Sequence, residues 1–146
     1  NQVLDPQWSS QKAFLANDEG LESGLMIVQY VAAAVIAELS LLSNPVSTTN
    51  VPVSMGKEDH VSMGATAAFR TLKASKLLSS VISSELICSC QALDNISERP
   101  SDSVSKIHEW VRKYVSKLDS DRSTTEDTEI IAEKILTTEF SSIFRK

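Results

Sequence analysis

The residues of this chain best suited to chemistry lie close together in the stretch SMGKEDHVSMG, residues 54–64. Glu58, Asp59 and His60 are consecutive, and they combine two carboxylates with an imidazole. A carboxylate accepts hydrogen bonds from N–H donors more strongly than an amide does, and either group moves protons when its pKa is suitably shifted. The alternative is structural, because an acidic pair at the start of a helix stabilises its dipole by about 0.3–1 kcal/mol per charge. Residue types alone leave both interpretations open.

Two cysteines, Cys88 and Cys90, are the other reactive side chains. They are two positions apart in a predicted helix, or about 200° around its axis, which is a poor arrangement for a mutual disulfide. No second Cys/His pair stands near them at the spacing of metal ligands, so buried thiols are the favoured interpretation and no metal site is predicted. Free thiols of this kind indicate a reducing, cytoplasmic compartment.

Length and charge limit the class of protein. The 146 residues correspond to one domain, and a hydrophobic content of 42% is ordinary for a chain that buries a core. A formal net charge of -5, with no dense Lys/Arg cluster, argues against nucleic acid as a partner. The amino terminus shows no secretory signal pattern, so export is not predicted. It also lacks an initiator Met and resembles an interior loop, from which we expect a truncated or processed chain.

The most unusual predicted element is a helix without charge. Fifteen uncharged residues run from Ser23 to Ala37, and their apolar side chains surround the helix instead of forming one stripe. A helix of this kind must be enclosed. A membrane span needs about 18 or more apolar residues, and Glu38 interrupts the run too early, so we predict a buried core helix and no membrane partner. Pro45 ends the helix near Asn44.

A loop and a second long helix follow. Residues 45–57 contain two prolines and a glycine, and long ordered loops in helical proteins are often functional. The second helix is predicted from about residue 59 to residue 95 because its apolar side chains keep one stripe. Its basic residues are interpreted as a solvated face: Arg70, Lys73 and Lys76.

Two amphipathic helices complete the chain. The third helix is capped by Ser101 or Ser103, and its apolar stripe from Val104 to Leu118 includes His108, which is interpreted as a packed histidine. A polar linker leads to the last helix, which opens with a capping box and has apolar residues on one side. The capping pair is Ser123 and Glu126; the apolar residues are Ile131, Ile135, Phe140 and Phe144; Arg145 and Lys146 suit the carboxyl-terminal end of the dipole.

The predicted fold class is therefore all-α, a bundle built around two long helices. We divide the chain into an irregular loop at 1–20, two long core helices with a functional loop at 21–96, and two amphipathic helices at 97–146. Two shorter helices cannot cover both long ones, and an uncovered apolar surface of several hundred Å² normally indicates association. We infer that neighbouring subunits or sequence outside this chain enclose the long helices.

Three strings in the first two thirds of the chain carry a family resemblance. They are FLANDEGLESGLMIVQYVAAAVIAELSLLSNPVS, EDHVSMGATAAF and ELICSCQALD, and they occur in this order over roughly residues 14–94. Together they resemble the carboxyl-terminal part of the aromatic amino acid ammonia-lyases, and most of all the histidine-specific members. Residues 97–146 carry no recognised motif.

The resemblance implies a mostly helical homotetramer whose active sites each gather residues from three subunits. The implied reaction removes ammonia from an aromatic L-amino acid, here L-histidine, and leaves trans-urocanate. The family's electrophile is methylidene-imidazolone, which forms from an internal Ala-Ser-Gly. That triplet is absent from this chain, where the ESG at residues 22–24 is the nearest string. The implied partners are the remainder of the polypeptide, identical subunits and the amino acid substrate.

Two residues match active-site positions of the family. Glu58 stands where the histidine-specific members place a glutamate beside the substrate, and Met26 matches a residue that lines the pocket for the substrate's ring. The resemblance thus implies a catalytic and substrate-binding role for Glu58 and a substrate-binding role for Met26. Asp59 and His60 are interpreted as capping and loop-fixing groups.

One departure keeps other functions open. The histidine-specific members usually have Asn-Gln before the glutamate, whereas this chain has Gly56 and Lys57. Lys57 either pairs with Glu58 or points into solvent. Tyrosine or phenylalanine ammonia-lyases and aminomutases of the same family remain alternatives. So does a non-catalytic helical oligomerisation module, which an Ala-Ser-Gly upstream of this segment would argue against.

Overall fold

The computed structural model describes residues 1–144 and is built from helices. Within this range the only β-type pairings are two isolated bridges, so the predicted all-α class is confirmed. Arg145 and Lys146, predicted to complement the last helix dipole, lie outside the described residues. The α-helices are α1 (Pro6–Ser9), α2 (Met26–Leu42), α3 (Gly64–Asp94), α4 (Asp102–Arg112), α5 (Thr125–Ile135) and α6 (Thr138–Ser142).

Helix α2 is the uncharged helix of the prediction, and this chain leaves it almost bare. Val28 is its only buried residue. By length and composition the segment Met26–Thr48 could cross a membrane, but core helices of other proteins pass the same test, so this is a weak indication. The large apolar side chains that α2 exposes are Ile27, Tyr30, Val31, Ile36 and Leu41.

Helices α2 and α3 form an antiparallel hairpin fastened by two basic residues. The Arg70 guanidinium donates hydrogen bonds of 3.1 and 3.0 Å to the carbonyl oxygens of Leu41 and Leu42, which have no partner in the last turn of α2. Lys73 Nζ lies 2.5 Å from Glu38 Oε1. Lys73 and Lys76 are exposed, as the prediction of a solvated face requires, whereas Arg70 is half-buried against the end of α2.

The buried core lies at the other end of α3. There the second half of α3 packs against α4, α5 and the first fifteen residues, and the Ser83 hydroxyl donates a 2.7 Å hydrogen bond to the Thr128 carbonyl of α5. Residues 1–20, predicted as irregular, contain short helical turns at Gln2–Leu4 and Ala13–Leu15 besides α1. The most deeply buried apolar side chains are Leu15, Leu25, Val111, Val115 and Ile131.

A half-buried polar cluster joins the end of α3 to α4. His108 Nε2 lies 2.6 Å from Asp94 Oδ1, and Arg112 Nε donates to Asp94 Oδ2 at 2.9 Å. His108 is half-buried, but its ring nitrogen is a hydrogen-bond partner of Asp94, so it is not the simple packed residue that its position on an apolar stripe predicted. The Asp94 carboxylate is largely shielded from water and needs both partners, because burying an unpaired charge costs free energy.

Several helix boundaries differ from the prediction for local reasons. Helix α3 begins at Gly64, five residues after the predicted start, because residues before it are tied into a turn. The last predicted helix is divided between α5 and α6. Its capping box was wrong, because the residue preceding α5 is Thr124 and no side chain caps it. Ser101 does precede α4, again without a side-chain cap.

A glutamate anchors α6 to α4. Tyr114 Oη donates a 2.6 Å hydrogen bond to Glu139 Oε1, and Trp110 Nε1 donates to the same oxygen at 3.2 Å. The hydrogen bonds from Tyr114 and Lys113 hold the pKa of Glu139 below its usual value. Phe140 then packs on Trp110 with ring centroids 5.0 Å apart.

The third helix is shorter than predicted, and the buried side chain of Gln91 binds the backbone of the segment that follows it. Helix α4 stops at Arg112, yet Leu118 is still buried. Gln91 Nε2 donates to the Leu118 carbonyl, and the Leu118 N–H donates to Gln91 Oε1, both at 2.9 Å. Leu118 lies outside the helices, and the Gln91 side chain supplies the hydrogen bonds that its buried N–H and carbonyl groups need.

Replacing Gln91 tests this bond pair. Gln91→Met keeps the side-chain length but leaves the N–H and the carbonyl of Leu118 buried without partners, so we expect the free energy of unfolding to fall by about 1–3 kcal/mol. Denaturant unfolding of the complete protein measures the change. Lys76→Met on the exposed side of the same helix is the matched control and should stay near wild type. Equal stability of the two variants would contradict the role of Gln91.

Candidate functional site: the Glu58 turn and the start of helix α2

Glu58 closes a tight turn in the loop between α2 and α3. The Val53 N–H donates to the Glu58 carbonyl at 3.0 Å, and the Glu58 N–H donates back to the Val53 carbonyl at 3.3 Å. Between them Met55 and Gly56 have positive φ angles of 58° and 80°. The backbone of Glu58 is therefore fixed while its side chain is exposed.

The carboxylate of Glu58 has no cationic partner among residues 1–144, and the amine of Lys57 has no anionic partner there. Of the two arrangements considered for Lys57, the structure has the one without a Lys57–Glu58 ion pair. Both side chains are exposed. The Glu58 carboxylate is thus available to an N–H donor from outside this chain.

Asp59 and His60 do not cap the following helix. They precede α3 by several residues, and it is Asn50 that fixes this part of the loop. Asn50 Nδ2 donates to the Asp59 carbonyl at 2.8 Å, and the Val61 N–H donates to Asn50 Oδ1 at 2.8 Å. Sequence reasoning missed Asn50, although asparagine in a loop is a frequent partner of nearby backbone groups.

Met26 is the first residue of α2 and is half-buried. The turn before it is closely packed: the Leu25 N–H donates to the Phe14 carbonyl at 2.9 Å, and the Leu25 side chain is buried. Gly24 has a φ of +54°, and a Cβ at this position would lie 2.5 Å from the Phe14 oxygen. Only glycine fits here, which explains the glycine of the SGLM string in physical terms.

The side chain of Asp121 binds the backbone of the same turn, at Ser23 and Gly24. Its Oδ2 accepts a 2.8 Å hydrogen bond from the Ser23 N–H, and its Oδ1 accepts a 2.9 Å hydrogen bond from the Gly24 N–H. Sequence reasoning assigned Asp121 to a polar linker and missed this role. No sequence pattern pointed to it, because 97 residues separate Asp121 from Gly24.

The structure does not bring Met26 and Glu58 together. Met26 begins α2, whereas Glu58 lies in the loop that joins the opposite end of α2 to α3. The 17 residues of α2 span about 25 Å. Two cavities of about 560 and 230 Å³ lie along α2 and α3, and neither Met26 nor Glu58 lines them.

The two cysteines are buried and unreactive. Burial raises the pKa of the Cys88 thiol to about 12 and that of Cys90 to about 11, so both are neutral thiols near pH 7. Both are free and buried, as their spacing predicted. No group of three or more His, Cys, Asp or Glu residues in the described part of the chain is placed to hold a metal ion.

Gly24 allows a direct test of the turn. Gly24→Ala forces a Cβ against the Phe14 carbonyl and a strained φ, so we expect the complete protein to lose at least about 1–2 kcal/mol of stability. Gly64→Ala is the control, because its Cβ would meet only the Ser62 hydroxyl at 3.4 Å in a helical backbone. Thermal unfolding compares the two; a Gly24→Ala protein as stable as Gly64→Ala would refute the packing described here.

Comparison with known proteins agrees with this architecture. The sequence model of the family described as aromatic amino acid lyase matches residues 1–113, beyond the strings that suggested it. The histidine ammonia-lyase of Myxococcus xanthus is 38% identical over 135 residues, which are 92% of this chain and 27% of that protein. The chain thus spans about a quarter of the length of the curated relatives it matches.

Solved structures share the helical arrangement. Histidine ammonia-lyase from Trypanosoma cruzi matches with a TM-score of 0.89 and 28% identity, and tyrosine aminomutase from Streptomyces globisporus with 0.91 and 32%. Each match covers 98% of this chain and 28% of the solved chain. Since the family match extends over most of the sequence and the helices superpose along nearly all of it, the chain belongs to the aromatic amino acid lyase family.

Proposed function

We propose that this chain is part of a histidine ammonia-lyase, which eliminates ammonia from L-histidine to give trans-urocanate. The observation that carries the proposal is the Glu58 carboxylate, which is exposed, has no cationic partner among residues 1–144 and lies on a turn whose backbone is fixed. The names of relatives such as the Myxococcus xanthus protein support the choice of substrate. We place the reaction in the cytoplasm, in keeping with two free thiols.

In this proposal Glu58 binds the N–H groups of the substrate. An imidazole ring or an ammonium group presents N–H donors, and a charged acceptor binds them more strongly than a neutral amide does. Any further role of Glu58 in moving a proton requires that the assembled site shield its carboxyl group from water. Met26 contributes a soft thioether wall for the flat ring.

The electrophile is supplied from outside these 146 residues. The family resemblance implies methylidene-imidazolone, and this chain lacks the Ala-Ser-Gly from which that group forms. The residues of this chain therefore cannot form it, and in this proposal they contribute to the site through Glu58 and Met26. For the same reason we expect the segment on its own to be inactive.

A shared site between subunits follows from the distance between the two candidate residues. Because about 25 Å of helix separates Met26 from the loop that carries Glu58, one copy of the chain cannot present both to a single histidine. We propose that they come from different subunits of a homotetramer. The same association, together with the rest of the polypeptide, would cover the exposed apolar face of α2.

An aminomutase is the second candidate. The tyrosine aminomutase from Streptomyces globisporus has a TM-score of 0.91 with this chain, as high as that of the histidine lyase from Trypanosoma cruzi. Incubation of the complete protein with L-histidine, L-tyrosine and L-phenylalanine, followed by product identification, distinguishes the candidates. A protein that converts none of them would favour a non-catalytic helical module.

Glu58 provides the direct test of the proposed chemistry. In the complete protein, Glu58→Gln removes the charge but keeps the shape, so we expect urocanate formation to fall about ten- to a hundredfold while the protein still folds. Absorbance of urocanate measures turnover, and circular dichroism checks the fold. Asp59→Asn, one position away, is the matched control and should keep its activity. Wild-type turnover by Glu58→Gln would remove this residue from the site.

Mixed oligomers test the shared site. Met26→Glu and Glu58→Gln proteins should each be poorly active, but co-expression should restore about a quarter of the sites if the two residues come from different subunits that mix randomly. The restored sites take Met26 from one variant and Glu58 from the other. If a single subunit supplied both residues, no mixture would contain an intact site, and activity would stay at the level of the separate variants.

A further inference from the structure

The segment from Leu118 to Asp121, which we call the strap, is held on three sides although it has no regular secondary structure. Gln91 of α3 binds both backbone groups of Leu118. Asn17 Nδ2 donates to the carbonyl oxygen of Asp119 at 2.7 Å and to that of Leu118 at 3.3 Å. The strap is therefore a positioned element and not a flexible linker.

Asp121 lies at the end of the strap and places a full negative charge on two consecutive backbone N–H groups. The contacts of 2.8 Å to Ser23 and 2.9 Å to Gly24 use one carboxylate oxygen each. Charge-assisted bonds of this type are stronger than neutral ones, and successive N–H groups form a natural concavity for an anion. The carboxylate thus fixes the orientation of both peptide groups.

These two peptide groups determine how α2 begins. The Ser23 carbonyl accepts a 3.2 Å hydrogen bond from the Met26 N–H, and the Leu25 N–H is bound to Phe14. A change in the backbone angles of Ser23 or Gly24 would therefore reorient Met26, the first residue of α2. Because Gly24 has a positive φ and no side chain to restrain it, the contact to Asp121 is an important restraint on this turn.

We propose that Asp121 is a positioning residue of the substrate pocket: it holds the Ser23–Gly24 turn so that Met26 faces the ring of the substrate. This inference rests on the proposed lyase function. It gives the carboxyl-terminal third of the chain, which carries no recognised motif, a part in substrate binding. Asp121 itself does not touch the substrate and acts through the backbone of the turn.

Kinetics of the complete protein separate this role from a general structural one. Asp121→Asn retains one acceptor but sets an amide N–H₂ against the second backbone N–H, so we expect KM for L-histidine to rise about fivefold with kcat changed less than about twofold. Asp119→Asn is the matched control, because no hydrogen bond or ion pair within residues 1–144 involves its carboxylate, and it should leave KM unchanged. Should the Asn variant fail to assemble, Asp121→Ser gives the same comparison.

A double-mutant cycle shows whether Asp121 acts through Met26. In a Met26→Ala background the KM effect of Asp121→Asn should disappear, because the side chain being positioned is gone. An equal effect in both backgrounds, an unchanged KM for Asp121→Asn, or an equal change in Asp119→Asn would each overturn the inference while leaving the lyase function intact.

Amide hydrogen exchange provides a measurement that does not depend on activity. Loss of the carboxylate contacts should accelerate exchange at Ser23 and Gly24 about tenfold relative to wild type. Unchanged exchange at both amides overturns the inference. A wild-type protein with no activity on L-histidine overturns the proposed function, and this inference with it. That outcome holds even if hydrogen exchange shows that Asp121 binds the amides of Ser23 and Gly24.

Discussion

Helix α2 is apolar on all sides, and its need for cover from water dominates the physical interpretation of this structure. Its apolar side chains surround the helix, and the chain described here buries only Val28 among them. Apolar surface contributes roughly 25 cal/mol per Å² when it leaves water, so a helix of this composition is stable only in contact with other protein surface. The association that we propose, with further sequence or further subunits, would cover α2 and would bring together residues that are far apart in one copy.

Within one copy, the two ends of the α2–α3 hairpin are stabilised by different interactions. At the amino-terminal end of α3, Arg70 and Lys73 bind the last turns of α2. At the other end, a core of α3, α4, α5 and the opening residues is fastened by Gln91 and by the Asp94 cluster. The first end carries the turn of Glu58 and the second lies close to Met26. The backbone of Glu58 is fixed by the nearby Val53, whereas the turn before Met26 is fixed by Asp121, which lies 97 positions from Gly24.

Sequence reasoning predicted the helical class, the uncharged helix and the family because these depend on local composition and short-range order. It placed the start of α3 too early and proposed a capping box at Ser123 that is absent. Local sequence signals for helix ends are weak. Before α3, Asn50 binds the backbone of Asp59 and Val61, and before α5 no side chain caps the helix.

Residue type and motif suffice to propose Glu58 and Met26 as candidate site residues. The three-dimensional packing was needed to show that these two residues lie at opposite ends of one hairpin, and that Asp121 binds the turn before Met26. The physical reason is that a hydrogen bond between residues 97 or more positions apart leaves no periodic trace in a sequence. It depends on how α3, α4 and the strap pack together, which a single sequence does not encode locally.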